Sequence, residues 1–164
     1  MQDKKIPKTK PELMESIMTD SKNLSTVSIL FHQTIADRLG LHITDHKCVD
    51  LLLTQGPQTA GEIAKTMGLS TGTVTSLIDR LEKKGLVERK NDPNDRRKVR
   101  IFLTQDMAAM QKIGSLFEGL AKSVWEQLSA YTAEELKIIL DFTRKSIRIM
   151  EEEREKLLQN RPDV

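Results

Sequence analysis

Two clusters of side chains carry chemistry that their spacing makes usable. The first is a run of small hydroxyls, Ser70, Thr71, Thr73, Thr75 and Ser76, with Thr59 ahead of it and Arg80 behind it. Hydroxyls at this density leave a backbone free to approach a surface closely and to bond anionic oxygens. The second cluster is cationic. Between Arg80 and Arg100 there are nine basic and four acidic residues, a local net of +5 against +2 for the whole chain, so the remainder is net negative. Arg89, Arg96, Arg97 and Lys98 belong to this stretch, with Asp95 among them. A lone charge run is usually a solvated face, but a cationic segment directly after a hydroxyl-rich one makes a footprint for phosphate.

A third, smaller group is His42, Asp45, His46 and Cys48, with His32 upstream. Histidines at i and i+4 share a helix face and can hold a metal. A thiol near Lys47 and His46 could be redox-active if its pKa were lowered and it were accessible. The plainer reading of Cys48 is a partly buried core residue. His32, Cys48, Met107 and Met110 could line a pocket for a small molecule, although Met at helical spacing is more often core. No Ser-His-Asp set, glycine-rich phosphate loop or paired carboxylate site has supporting context, so the chain does not read as an enzyme. No cofactor and no metal site are assigned.

These residues need elements to hold them. Residues 1–10 read as a disordered basic start, with no apolar run behind them and hence no signal peptide. Pro11 suits a first helical turn, and Leu13, Ile17, Leu24, Val27, Phe31, Ile35 and Leu39 then recur at helical spacing up to Gly40, as one long helix or two joined near Asp20 to Asn23. Thr44 is expected to cap a second helix reaching Thr54. Thr59 and Glu62 make a capping box that opens a short helix ending at Gly68, and Ser70 caps the next, which stops at Gly85. The period changes to strand-like over 86–90 and 99–103, with turn formers between. Thr104 is expected to cap a fifth helix to about Leu128, and Thr132 with Glu135 opens a last helix ending at Arg161-Pro162.

Within this layout Ala64, Gly68 and Val74 fall where a helix-turn-helix needs a small crossing residue, a positive-φ turn residue and an apolar anchor. An ordinary helical hairpin has the same spacing. The outward face of the second helix shows hydroxyls and no acid before Asp79, which favours a groove-binding helix. Gly72 weakens that helix by about 1 kcal/mol but permits close approach. The fold class is therefore mainly α with a small β-hairpin wing, a winged helix-turn-helix between long helices. A single domain over 11–158 is expected, with the helix-turn-helix at 59–84, the wing at 86–104 and pairing helices at 11–39 and 105–158. The outer helices carry apolar stripes longer than a small winged core can cover, which calls for a second copy unless they cover each other.

Residues 59–104 resemble the MarR family of winged-helix transcription regulators, through Leu69 to Val87 and through Asp92-Pro-Asn-Asp-Arg-Arg-Lys98 with Leu103-Thr104. The helix layout extends the resemblance over about 20–155. It implies a homodimer with the second helix in the major groove, read as a repressor on a pseudo-palindromic double-stranded operator and modulated by a small-molecule effector. The single cysteine fits a reducing cytoplasm, and no apolar run is long enough for a membrane-spanning helix. It implies that Arg97 enters the minor groove and that Asp95 orients it. Ser76 departs from the larger polar or basic residue of many relatives, so base preference does not transfer. A redox- or metal-responsive sensor using Cys48 or His42 and His46 is the alternative on the same scaffold.

Overall fold

A computed structural model describes residues 9–92, 95 and 97–159. The chain divides into two compact units, 1–116 and 117–164, with the boundary inside a helix.

The first unit begins with α1 (Lys10–Leu39), a single 30-residue helix. Thr9 and Glu12 close a capping box ahead of it, so helix begins inside the segment expected to be disordered. Residues 1–8 lie outside the described residues. Helices α2 (Ile43–Gln55), α3 (Ala60–Met67) and α4 (Thr71–Lys83) follow, with a two-residue strand β1 (Gln58–Thr59) between α2 and α3. Strands β2 (Val87–Asn91) and β3 (Val99–Leu103) form the hairpin, and the sheet runs in the order β1-β3-β2, all antiparallel. Residue Arg89 faces Ile101 across the hairpin, and Thr59 of β1 faces Arg100 on its other edge.

Two caps differ from expectation. His42, not Thr44, caps α2: its imidazole Nδ1 accepts from the Thr44 N–H at 3.3 Å and lies 2.7 Å from the Thr44 hydroxyl. Helix α5 (Met107–Ser129) starts beyond Thr104, because Asp106 accepts from the Ala108 and Ala109 N–H groups at 2.9 and 3.4 Å. A carboxylate at a helix start gains from the helix dipole as well as from the bonds, which a hydroxyl does not. The Thr104 hydroxyl instead accepts from the Asp106 N–H.

The core of this unit is built from α2, α3, α4 and the sheet. Val49, Ile63, Val74, Leu77, Ile78 and Leu81 are fully buried, and Ile101 closes the floor from β3. Each such side chain contributes about 1.5–3 kcal/mol by leaving water. On α4 the inward stripe is Val74, Leu77, Ile78 and Leu81, at helical spacing, which leaves the hydroxyl residues on the opposite side.

The second unit contains the end of α5 and α6 (Ala133–Gln159), which opens on the Thr132–Glu135 capping box. The α6 helix has no buried residue, and Trp125 on α5 is 77 % exposed.

Candidate nucleic-acid interface

The turn between α3 and α4 has the geometry that a helix-turn-helix requires. Gly68 ends α3 at φ 69°, in the left-handed region, and the Leu69 N–H reaches back to the Ala64 carbonyl at 3.0 Å. Ala64 is buried at the crossing and Val74 is fully buried behind it. Ser70 then caps α4, its hydroxyl accepting from the Thr73 N–H at 3.2 Å and lying 2.8 Å from the Thr73 hydroxyl. No acidic residue stands in the first turn of α4. The partial positive charge of the helix start is therefore not neutralised by the chain itself.

Ser70, Thr71, Gly72, Thr73, Thr75 and Ser76 are all exposed on this helix. Thr75 donates its hydroxyl to the Thr71 carbonyl at 2.9 Å, keeping its oxygen as an outward acceptor. Thr59 is placed differently. Its hydroxyl is the N-cap of α3, accepting from the Glu62 N–H at 3.2 Å, and the Glu62 carboxylate returns to the Thr59 N–H at 2.7 Å. That reciprocal bonding holds the Glu62 carboxyl below its ordinary range.

The arginines divide into tethered and outward ones. Arg89 is half-buried: it bridges Asp79, at 2.6 Å, and Glu82, both on α4, while its backbone N–H also donates to Glu82. This fastens β2 to the helix beside it. Arg100 pairs with the buried Asp92, donates to the Pro57 carbonyl at 3.1 Å and lies 3.7 Å from Glu62, fixing the root of the wing to β1 and α3. The Asp92 bond raises the pKa of that guanidinium. Arg80 donates through Nε and Nη2 to both oxygens of Asp45, at 2.9 and 2.6 Å. At the wing tip Arg97 is 95 % exposed, with its N–H donating to Asp95 Oδ1 at 3.1 Å and its Nε 3.5 Å from the same oxygen. Lys98 lies 3.9 Å from the other Asp95 oxygen. Arg96 lies outside the described residues.

Asp92 and Glu82 carry no pairing assignment from the sequence, and Asp45, grouped there with the histidines as a possible metal ligand, pairs instead with Arg80. Asp45 left a signal: with Val49 and Leu52 it follows helical spacing, and a carboxylate on a buried stripe asks for a cation. Asp92 entered as a turn former and as the first residue of the wing pattern, and neither role points to Arg100.

The sensor residues do not converge. The His42 ring is occupied at the start of α2, while His46 is buried and its Nε2 lies 3.1 Å from Nδ1 of His32. Among the described residues no group of three His, Cys, Asp or Glu side chains is placed to hold a metal. Cys48 is fully buried, and burial, with Asp45 adding to it, pushes its thiol up to about 11. A reactive thiol needs the opposite shift, so the redox alternative has no support here. Of the pocket residues, His32 and Met110 are half-buried while Met107 is 80 % exposed. A polar cleft of about 350 Å³ lies elsewhere, lined by Gln55, Pro57, Gln58, Glu62, Thr66 and Arg100. No helix among the described residues is long and apolar enough to cross a membrane.

A capped, hydroxyl-faced second helix beside a basic antiparallel hairpin defines a winged helix-turn-helix. The MarR family model matches residues 41–99, from just ahead of α2 to the first residue of β3. The chain is 46% identical to YcgE, an HTH-type transcriptional regulator of Bacillus subtilis (strain 168), over 92% of its own length and 97% of the relative. It is similar to the YusO protein of Bacillus subtilis, with 25% identity and a TM-score of 0.55 over 86% of this chain and 99% of that one. A MarR family protein of Bacillus stearothermophilus shares the fold, at 24% identity and a TM-score of 0.59, over 84% of this chain and 96% of that one. The chain belongs to the MarR family, and it is a DNA-binding transcription regulator rather than an enzyme.

Proposed function

We propose that the chain acts in the cytoplasm as a homodimeric repressor on a pseudo-palindromic operator, each protomer laying α4 in a major groove and Arg97 in the adjoining minor groove. The observation that carries this reading is the wing tip, where an almost fully exposed arginine is fastened to Asp95 by its own N–H. A charge held on a short tether and facing water is suited to a groove whose potential is strongly negative. Base contacts fall to Thr71, Thr73, Thr75 and Ser76, and phosphate contacts to Ser70, Arg80, Arg96 and Lys98. Thr59 and Arg89, used in a cap and a tether, support the surface from behind.

Dimerisation is supported by exposed apolar side chains on each outer helix. Leu24, Val27, Ile29 and Leu30 of α1 are each more than half exposed, as are Ile138, Ile147, Met150 and Leu157 of α6. Stripes of this size on helices of 30 and 27 residues are costly in water unless a partner covers them. Release by a small effector is the reading for regulation, resting on the family resemblance.

A gel shift with the DNA upstream of the chain's own gene, run beside light scattering of the free protein, tests both parts. A dimer that shifts this duplex at lower concentration than an unrelated one is expected. A monomer, or equal binding to both duplexes, contradicts the corresponding part.

A further inference from the structure

Asp45 and Arg80 form an ion pair across 35 residues of sequence, with one partner hidden and the other half open: the Asp45 side chain is 3 % exposed and that of Arg80 is 49 %. A buried ion pair is weak as a stabiliser, because removing the carboxylate from water offsets most of the attraction. What it fixes is direction. The carboxylate occupies the Nε and Nη2 side of the guanidinium, and no hydrogen bond from Nη1 is made to any described residue. The plane of the fork is therefore set by α2, not by the flexible arginine stem.

Arg80 also lies on a particular line of α4. Thr73, Ser76 and Arg80 are at i, i+3 and i+7, one stripe of the helix, and all three are exposed. Thr73 and Ser76 occupy its first half, and Arg80 stands one turn further on, where a helix leaving a groove meets the sugar-phosphate edge.

We infer that Asp45 is a positioning residue that holds Arg80 side-on so that the Nη1 end of its fork grips a phosphate flanking the major groove. The inference rests on the DNA-binding reading above and adds to it a buried residue that never touches DNA. Phosphate, not a base, is the partner, so the effect is the same on every sequence.

The test is fluorescence anisotropy of the full chain on its upstream duplex and on an unrelated duplex, at several salt concentrations. Arg80→Ala is expected to weaken both complexes about tenfold and to lower the slope of log K against log salt by about one per protomer. Arg80→Lys, which keeps the charge but not the fork, should retain the slope and lose affinity. Asp45→Asn should weaken binding several-fold in the wild-type background and not at all in the Arg80→Ala background, a non-additivity that mere destabilisation does not produce. If single variants fail to fold, the pair Asp45→Asn with Arg80→Gln replaces the ions with neutral hydrogen-bonding groups of similar shape, and it should show the same loss of slope. An unchanged affinity and slope in Arg80→Ala or in that pair overturns the inference while wild-type binding leaves the DNA-binding reading standing. Additive losses from Asp45→Asn and Arg80→Ala overturn the positioning role of Asp45. Absence of wild-type binding to either duplex overturns the DNA-binding reading, and the inference with it.

Discussion

The imidazoles of His32 on α1 and His46 on α2 meet with Nδ1 of the first 3.1 Å from Nε2 of the second and ring centroids 5.4 Å apart. One N–H lies in this contact, and a proton added to His46 would make a cation where that ring has almost no water. Phe31 meets the His32 ring edge-on, and Asp50 and Lys47 act on His46 from α2.

Burial holds the His46 imidazole below its ordinary value of 6.5, and His32 and Lys47 push it the same way against Asp50. A depressed pKa means the unfolded chain takes up the proton more readily. Stability is therefore whole above pH 6.5 and is lost as pH falls through the lower, folded-state value. The carboxyls of Glu62 and Glu135, held below 4.5, act only in more acidic solution. Urea midpoints measured from pH 8 to pH 5 should fall faster for the wild type than for His46→Gln. Parallel curves would show that the pair does not govern this window.

Cys48 should be chemically silent. With its thiol at about 11 and no exposed surface, it carries almost no thiolate at neutral pH. Iodoacetamide at pH 8 should modify it only after denaturation, and peroxide should leave DNA binding unchanged. Rapid labelling of the native protein contradicts this and reopens a redox role.

Two glycines separate the fold from the interface. Gly68 has φ 69°, so Gly68→Ala should cost about 1–2 kcal/mol at the helix-turn-helix corner. Gly72 is helical, with nothing within 4 Å of an added Cβ, so Gly72→Ala should stabilise the fold by about 1 kcal/mol. The same methyl stands on the surface that approaches DNA, so affinity should fall as melting temperature rises. If both quantities move together, Gly72 has no place at the interface.

The parts of the structure legible in the sequence are those that local chemistry decides. The capping boxes at Thr59 and Thr132, the Ser70 cap and the Gly68 stop each involve residues within a few positions, and each forms as read. The two misplaced caps, Thr44 and Thr104, gave way to neighbours two residues away: His42 accepts from the Thr44 N–H, and Asp106 from the Ala108 and Ala109 N–H groups. Strand β1 has only two residues, too few to show a period; it exists because β3 offers Ile101 and Arg100 as partners. The long-range pairs were invisible for the same reason. Arg80 with Asp45, Lys84 with the Gly40 carbonyl and Arg100 with the Pro57 carbonyl span 35, 44 and 43 residues, and only the folded arrangement selects them. The positive hairpin was legible as charge, but not which of its arginines would be spent on tethers.

The wing tip offers the most direct test of the account. Arg97 is almost fully exposed, and its polar contacts among the described residues are with Asp95, so Arg97→Ala should leave melting temperature within a degree or two. Its affinity for the upstream duplex, measured by anisotropy at fixed salt, should fall tenfold or more. Full affinity in a folded Arg97→Ala protein would contradict the placement of the wing in the minor groove.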